Sequence, residues 1–117
     1  MLNNKLAHAV VGYGNSKLFE NAVDSIRRFD KKSPIYVVVT GNPKFLGLNK
    51  FLDFEYAESY KIKKYLKEKY KLKNIFFFEI KAKKKKLKTG NLYDGYNLVF
   101  KKCYTKGIRF LNLIQSD

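Results

Sequence analysis

Residues 7–39 read AHAVVGYGNSKLFENAVDSIRRFDKKSPIYVVV, and the change of apolar period along this stretch decides the fold. Residues 7–11 form a short apolar run closed by Gly12-Tyr13-Gly14-Asn15, a length and punctuation that predict a buried strand followed by a loop. From Ser16 the spacing becomes three and four: Phe19, Ala22 with Val23, Ile26 and Phe29 recur, with Lys17, Glu20, Asp24 and Arg27 falling elsewhere. That is the period of an amphipathic helix with Ser16 or Asn15 as its N-cap. It is predicted to stop within residues 30–34, because proline disfavours helical geometry in the residue before it and Pro34 closes the segment. Ile35-Tyr36-Val37-Val38-Val39 is then continuously β-branched and aromatic, the pattern of a strand covered on both faces.

A strand, a helix and a second buried strand make a βαβ unit, which is parallel and right-handed in nearly all known cases. The loops after both strands, at 12–15 and 40–43, are thereby predicted on one edge of the sheet. In open α/β sheets this carboxyl edge is where ligands bind.

Outward from this unit, residues 44–59 have no clean period and are read as a short helix or turn. Residues 60–72 show Ile62, Tyr65 with Leu66, Lys69 and Tyr70 at helical spacing, a helix studded with lysine. Asn74 opens a third strand at residues 75–80, IFFFEI. Residues 81–88 hold six lysines in eight positions and are predicted to be solvated. Thr89-Gly90-Asn91 is a turn signal. Residues 92–105 follow as a helix with Tyr93, Tyr96 or Asn97, Phe100, and Cys103 or Tyr104 on one face, and Lys106-Gly107 as its C-cap. Residues 108–114 read as a fourth buried strand that delivers Gln115-Ser116-Asp117 to the carboxyl edge. The expected fold is α/β: a Rossmann-like, open, mostly parallel sheet flanked by helices, in one domain spanning residues 1–117.

Composition agrees with one packed core. Of 117 residues 45% are hydrophobic and 30% charged, which excludes collagen-like and compositionally disordered classes. The formal charge of +15 suggests nucleic acid or an anionic membrane as partner. Its source weakens the nucleic-acid case: 22 of the 25 cations are lysine and only Arg27, Arg28 and Arg109 are arginine, whereas base and phosphate readers favour the bidentate guanidinium. The single cysteine, Cys103, excludes an internal disulfide and a cysteine-rich zinc site. No apolar stretch approaches the roughly 18 to 20 residues of a bilayer span, so the expected location is the cytoplasm, with at most a peripheral membrane contact.

Lone chemical residues carry little. The Gly12-Tyr13-Gly14 loop is similar to a dinucleotide fingerprint but has Lys17 where the third glycine would stand. His8 lies inside the first strand without a partner in metal-ligand spacing and reads as a core or helix-facing histidine. Cys103 reads as packing. Asp117, just past an apolar strand, lies where sheet enzymes keep ligand-binding carboxylates.

The order of elements says more. The first strand with its Gly/Asn loop, the Leu-Phe-x-x-Ala-x-x-Ser-Ile helix of residues 18–26 and the strand of residues 34–40 resemble the opening of family 2-like glycosyltransferases. Residues 91–98, NLYDGYNL, and 106–117, KGIRFLNLIQSD, resemble that family's later helix start and its strand running into an Asp-x-Asp motif. The resemblance covers nearly the whole chain, as the nucleotide-binding half of a GT-A fold. It implies a sugar-nucleotide donor and a saccharide or lipid-linked acceptor, with the acceptor site and catalytic base in a half that would follow Asp117. On that expectation the 117-residue chain is truncated and inactive in transfer by itself. The final Asp of the motif, which helps hold a divalent cation (Mn or Mg) on the donor diphosphate, maps onto Asp117. The first Asp, which approaches the ribose, maps onto the neutral Gln115, so strict metal dependence is not carried over. Where the family commonly carries a base-recognising Asp, this chain has Thr40-Gly41-Asn42, leaving Asn42 for that role. Gly12, Tyr13 and Asn15 match the donor pocket by location. The rival class is a non-catalytic module whose residues 81–88 grip nucleic acid or an anionic surface.

Overall fold

The computed structural model describes residues 6–13, 16–40, 44–45, 51–52, 54–80 and 92–115. Its elements are β1 (Leu6–Tyr13), α1 (Ser16–Phe29), β2 (Ile35–Thr40), β3 (Lys44–Phe45), β4 (Phe51–Leu52), α2 (Phe54–Tyr70), β5 (Ile75–Ile80), α3 (Leu92–Thr105) and β6 (Phe110–Gln115). Four strands form an all-parallel sheet in the order β5-β2-β1-β6, and β3 with β4 makes a separate two-residue antiparallel pair. The chain is an α/β protein with a Rossmann-like open sheet, as the strand pattern predicts. Where the sequence shows no clean period, within 44–59, the chain makes the small hairpin and then starts α2 at Phe54, earlier than the lysine-studded pattern from 60 onward indicates.

The order has a direct consequence for the helices. From β1 the chain steps outward to β2 and then β5, and afterwards returns across the sheet to β6 on the far side of β1. Crossovers of one hand that travel in opposite directions place their helices on opposite faces. Accordingly α1 and α2 pack together over one face, where Phe19, Val23 and Ile26 of α1 and Ile62 and Leu66 of α2 meet Val10, Ile35, Val37, Val39 and Ile75. The other face buries Ala7, Ala9, Val11, Tyr36 and Val38 beneath Val99 and Cys103 of α3. β1 and β2 are covered on both faces, which is why their sequences run apolar without alternation.

Three expectations are corrected. Phe29 closes the apolar stripe in sequence but is 85% exposed, and Arg27 is buried in its place. The Arg27 guanidinium donates from NH1 to the carbonyls of Asp30 and Ser33 (3.0 and 2.8 Å) and from NH2 to that of Asn74 (3.2 Å). It thus closes the end of α1 and ties it to the entry of β5. On α3 the sheet-facing stripe is Gly95, Val99 and Cys103, while Phe100 and Tyr104 turn outward. Small residues at four-residue spacing let the helix sit close to the sheet, which larger aromatic side chains would prevent. Finally, β6 is not a buried strand: it lies on the edge beside β1, α3 packs chiefly over β1 and β2, and Phe110 and Leu113 remain 65% and 40% exposed.

The readings of His8, Cys103 and the end of α3 hold. His8 is buried; its Nε2 lies 2.8 Å from Asp30 Oδ2, and Asn112 Nδ2 lies 3.1 Å from its Nδ1. The ring thus bridges the end of α1 to β6 through its two nitrogens. Cys103 is buried, and burial pushes its thiol upward. Gly107 adopts φ 70°, the left-handed conformation that favours glycine, and ends α3 in a Schellman pair: Ile108 N–H donates to Cys103 O and Gly107 N–H to Tyr104 O. Among the described residues no helix is long and apolar enough to cross a membrane.

Candidate functional site

The carboxyl edge is built by strand register. Tyr13 at the end of β1 pairs with Thr40 of β2, and Gln115 at the end of β6 pairs with Val11, so both strand ends open on the same side. Between β1 and β6 the direction of winding reverses, with α1 leaving to one face and α3 arriving from the other. In open α/β sheets such a switch point leaves a crevice that the strand-end loops can line.

Gly12 is buried, and its carbonyl accepts a hydrogen bond from Thr40 Oγ1 at 3.3 Å. Helix α1 starts at Ser16, just beyond this strand end, and its first turn holds no acidic side chain. No acidic side chain of that turn offsets its positive dipole end. Across the crevice, Tyr96 Oη lies 3.5 Å from Gln115 Oε1 at the end of β6.

Gly95 sets the height of α3 above this edge. A Cβ there would lie 2.8 Å from Val11 Cγ1 and 3.0 Å from Thr40 Cγ2, atoms of β-branched side chains fixed in the sheet. In an exposed helix Gly to Ala gains about 1 kcal/mol. Here Gly95→Ala is expected to destabilise instead, by about 1–2 kcal/mol, because the overpacked methyl must displace the helix. Urea unfolding checks the sign.

Of the residues singled out from sequence, Gly12, Tyr13 and Gln115 are brought to one edge. Asn15, Asn42 and Asp117 lie outside the described residues, as does the lysine run 81–88. The metal expectation, which falls on Asp117, therefore rests on sequence alone, and Gln115 offers a neutral amide oxygen rather than a carboxylate. Sequence reasoning passed over Glu79, near the end of β5, which accepts a hydrogen bond from Ser59 Oγ of α2. Its signal was a lone acid closing the apolar run IFFF.

Sequence reasoning also missed two polar clusters that join elements away from this edge. Asp24 of α1 accepts hydrogen bonds from Tyr65 Oη (2.6 Å) and Tyr70 Oη, with Lys69 Nζ 3.2 Å away. Burial would raise this carboxyl, but the three donors hold it below the usual range. Burial and the bond to Asp24 push the Tyr70 hydroxyl up to about 12. Asp30 is the second hub: Oδ1 accepts from the backbone of Lys32 and Ser33, both at 3.0 Å, while Oδ2 faces His8. Burial, which would raise it, is outweighed by these donors, and the carboxyl lies far below its ordinary value.

No family model, curated protein or solved structure matches the chain.

Proposed function

We propose that the chain is the sugar-nucleotide-binding half of a glycosyltransferase, with the donor diphosphate seated at the crevice between the carboxyl ends of β1 and β6. The observation that supports this most is the strand order, which reverses between β1 and β6. The same two strand ends carry the loop and the Asp-x-Asp-like segment on which the family resemblance rests. In this role the N-terminus of α1, whose first turn carries no acidic side chain, faces the diphosphate. By the family resemblance Tyr13 and Asn15 would border the donor, with Asn42 assigned to the base and Gln115 to the ribose. Asp117 would hold a divalent cation, Mn2+ or Mg2+, which supplies charge neutralisation on the departing diphosphate. The acceptor would be a saccharide or a lipid-linked saccharide.

Calorimetric titration with uridine and guanosine diphosphates, with and without manganese, tests the reading. Saturable binding with a Kd on the order of a millimolar or tighter is expected, since an open half-site buries little of the ligand. Tight binding to DNA with no response to either diphosphate would favour the basic binding module instead.

A further inference from the structure

At the amino edge of the sheet, opposite the crevice, an open cavity of about 660 Å3 is lined by Arg27, Lys31, Lys32, Lys69, Tyr70, Lys73 and Asn74. It lies where the end of α1 and the end of α2 come together, and its volume suits a small organic ligand.

Five of its seven lining residues are cations, and their partners divide them into three groups. Lys69 is engaged: its ammonium pairs with Asp24, lies 3.0 Å from Tyr65 Oη and sits over the Tyr65 and Tyr70 rings. Arg27 is half engaged, since three of its five N–H donors serve backbone carbonyls. Lys31, Lys32 and Lys73 are exposed, and their ammonium groups have no ion pair among the described residues.

The usual reason for cations here is the negative end of a helix dipole. It covers Arg27 and Lys69, which lie in the last turns of α1 and α2. It acts less on the other three, which lie beyond the last residues of both helices, because the effect falls off within the last turn. Asp30 N–H donates to Ile26 O, Lys71 N–H to Lys67 O and Leu72 N–H to Leu66 O. The two nearby acids are also occupied, Asp24 by Tyr65, Tyr70 and Lys69, and Asp30 by His8 and two backbone amides. The turn that carries Lys73 is held in place without glycine: Lys71, Leu72 and Asn74 all have φ between 55° and 57°, and Asn74 Nδ2 donates to Lys32 O at 2.6 Å. That bond fixes the loop bearing Lys32 against the turn bearing Lys73.

We infer that this cavity is an anion site for a phosphate-bearing ligand, in which Lys31, Lys32 and Lys73 supply the charge and Arg27 a rigid donor at the floor. It is separate from the crevice between β1 and β6 and does not depend on the glycosyltransferase reading.

Inorganic pyrophosphate titrated into the 15N-labelled full chain at low salt tests it. Saturation with a Kd of about 1 mM or below is expected, with the amide shifts centred on residues 31, 32, 73 and 74. The triple variant Lys31→Glu, Lys32→Glu, Lys73→Glu should bind at least about tenfold more weakly, a charge-local effect that screening confines to nearby residues. The control is Lys63→Glu, Lys64→Glu, Lys67→Glu, three lysines that line a different cavity of about 640 Å3 on α2. It makes the same change of net charge and should weaken binding less than about threefold. The corresponding triple glutamine variant, which removes charge without adding repulsion, should give an intermediate loss. Vesicles of phosphatidylcholine with phosphatidylserine separate the sources. Retention that the first triple variant abolishes assigns a lipid headgroup, whereas pyrophosphate binding without retention assigns a soluble phosphate. Equal loss in both glutamate variants, absence of saturation, or shifts confined to Gly12, Tyr13 and Gln115 would each overturn the site. The last of these would still agree with a diphosphate in the carboxyl-edge crevice.

Discussion

Replacing Arg27 by alanine is expected to lower stability by about 3 kcal/mol, although a charged residue on a surface helix usually costs far less. The guanidinium is buried and donates to the carbonyls of Asp30, Ser33 and Asn74. Its removal leaves three carbonyls to find water in a place where the bond to Ser33 O is itself buried. It also frees the end of α1 from the entry of β5, two elements that the sequence separates by 47 residues in the Arg27–Asn74 pair. Arg27→Lys should recover only part of the loss, since one ammonium cannot reproduce the planar fork that spans these acceptors. Chemical unfolding measures both variants. A loss below about 1 kcal/mol for Arg27→Ala would mean that water replaces the guanidinium at little cost.

Asp30→Ala is expected to cost about 2–3 kcal/mol at neutral pH, because it strips His8 Nε2 and the amides of Lys32 and Ser33 of their acceptor together. The same carboxylate governs behaviour in acid. Its folded pKa lies below the unfolded value, so the folded state binds fewer protons than the unfolded chain as the carboxyl titrates. The resulting stabilisation is fully present above the unfolded pKa, near 3.9, and is lost as pH falls through the folded value. Asp24 is depressed in the same direction and adds to the slope. Thermal unfolding of the parent protein should therefore fall steadily below about pH 4, and Asp30→Asn should flatten that fall while lowering the neutral plateau. A parent and variant with parallel acid limbs would remove Asp30 from the account.

The layout of the sheet was legible because period and punctuation agree: HAVV before Gly12, three- and four-residue spacing from Phe19, and five β-branched or aromatic residues after Pro34. Interactions between distant elements left no such mark. Arg27 looks like one more polar residue of an amphipathic helix until Ser33 O and Asn74 O are placed beside it. Phe29 belongs to the apolar stripe by spacing alone, yet the helix ends there and the chain turns away. For β6 an apolar run cannot distinguish a central strand from an edge strand, since strand order is set by crossovers. On α3 the spacing finds Cys103 but also selects the large aromatics Phe100 and Tyr104, whereas close helix-to-sheet contact selects Gly95, Val99 and Cys103. Half of the candidate site followed the same logic. Gly12, Tyr13 and Gln115 were placed by strand ends, which periodicity finds well, while Asn15, Asn42 and Asp117 lie outside the described residues.

The central claim is that a nucleoside diphosphate occupies the switch point at the carboxyl edge. Its most direct test is a map of backbone amide shifts as uridine and guanosine diphosphates are added to the labelled chain. Saturable shifts are predicted at Gly12, Tyr13, the first turn of α1 and the end of β6 at Gln115, with Gln115→Ala weakening the response severalfold, on the scale of one lost hydrogen bond. Shifts confined to Lys31, Lys32 and Lys73 at the opposite edge, or no saturable shifts at either, would contradict it.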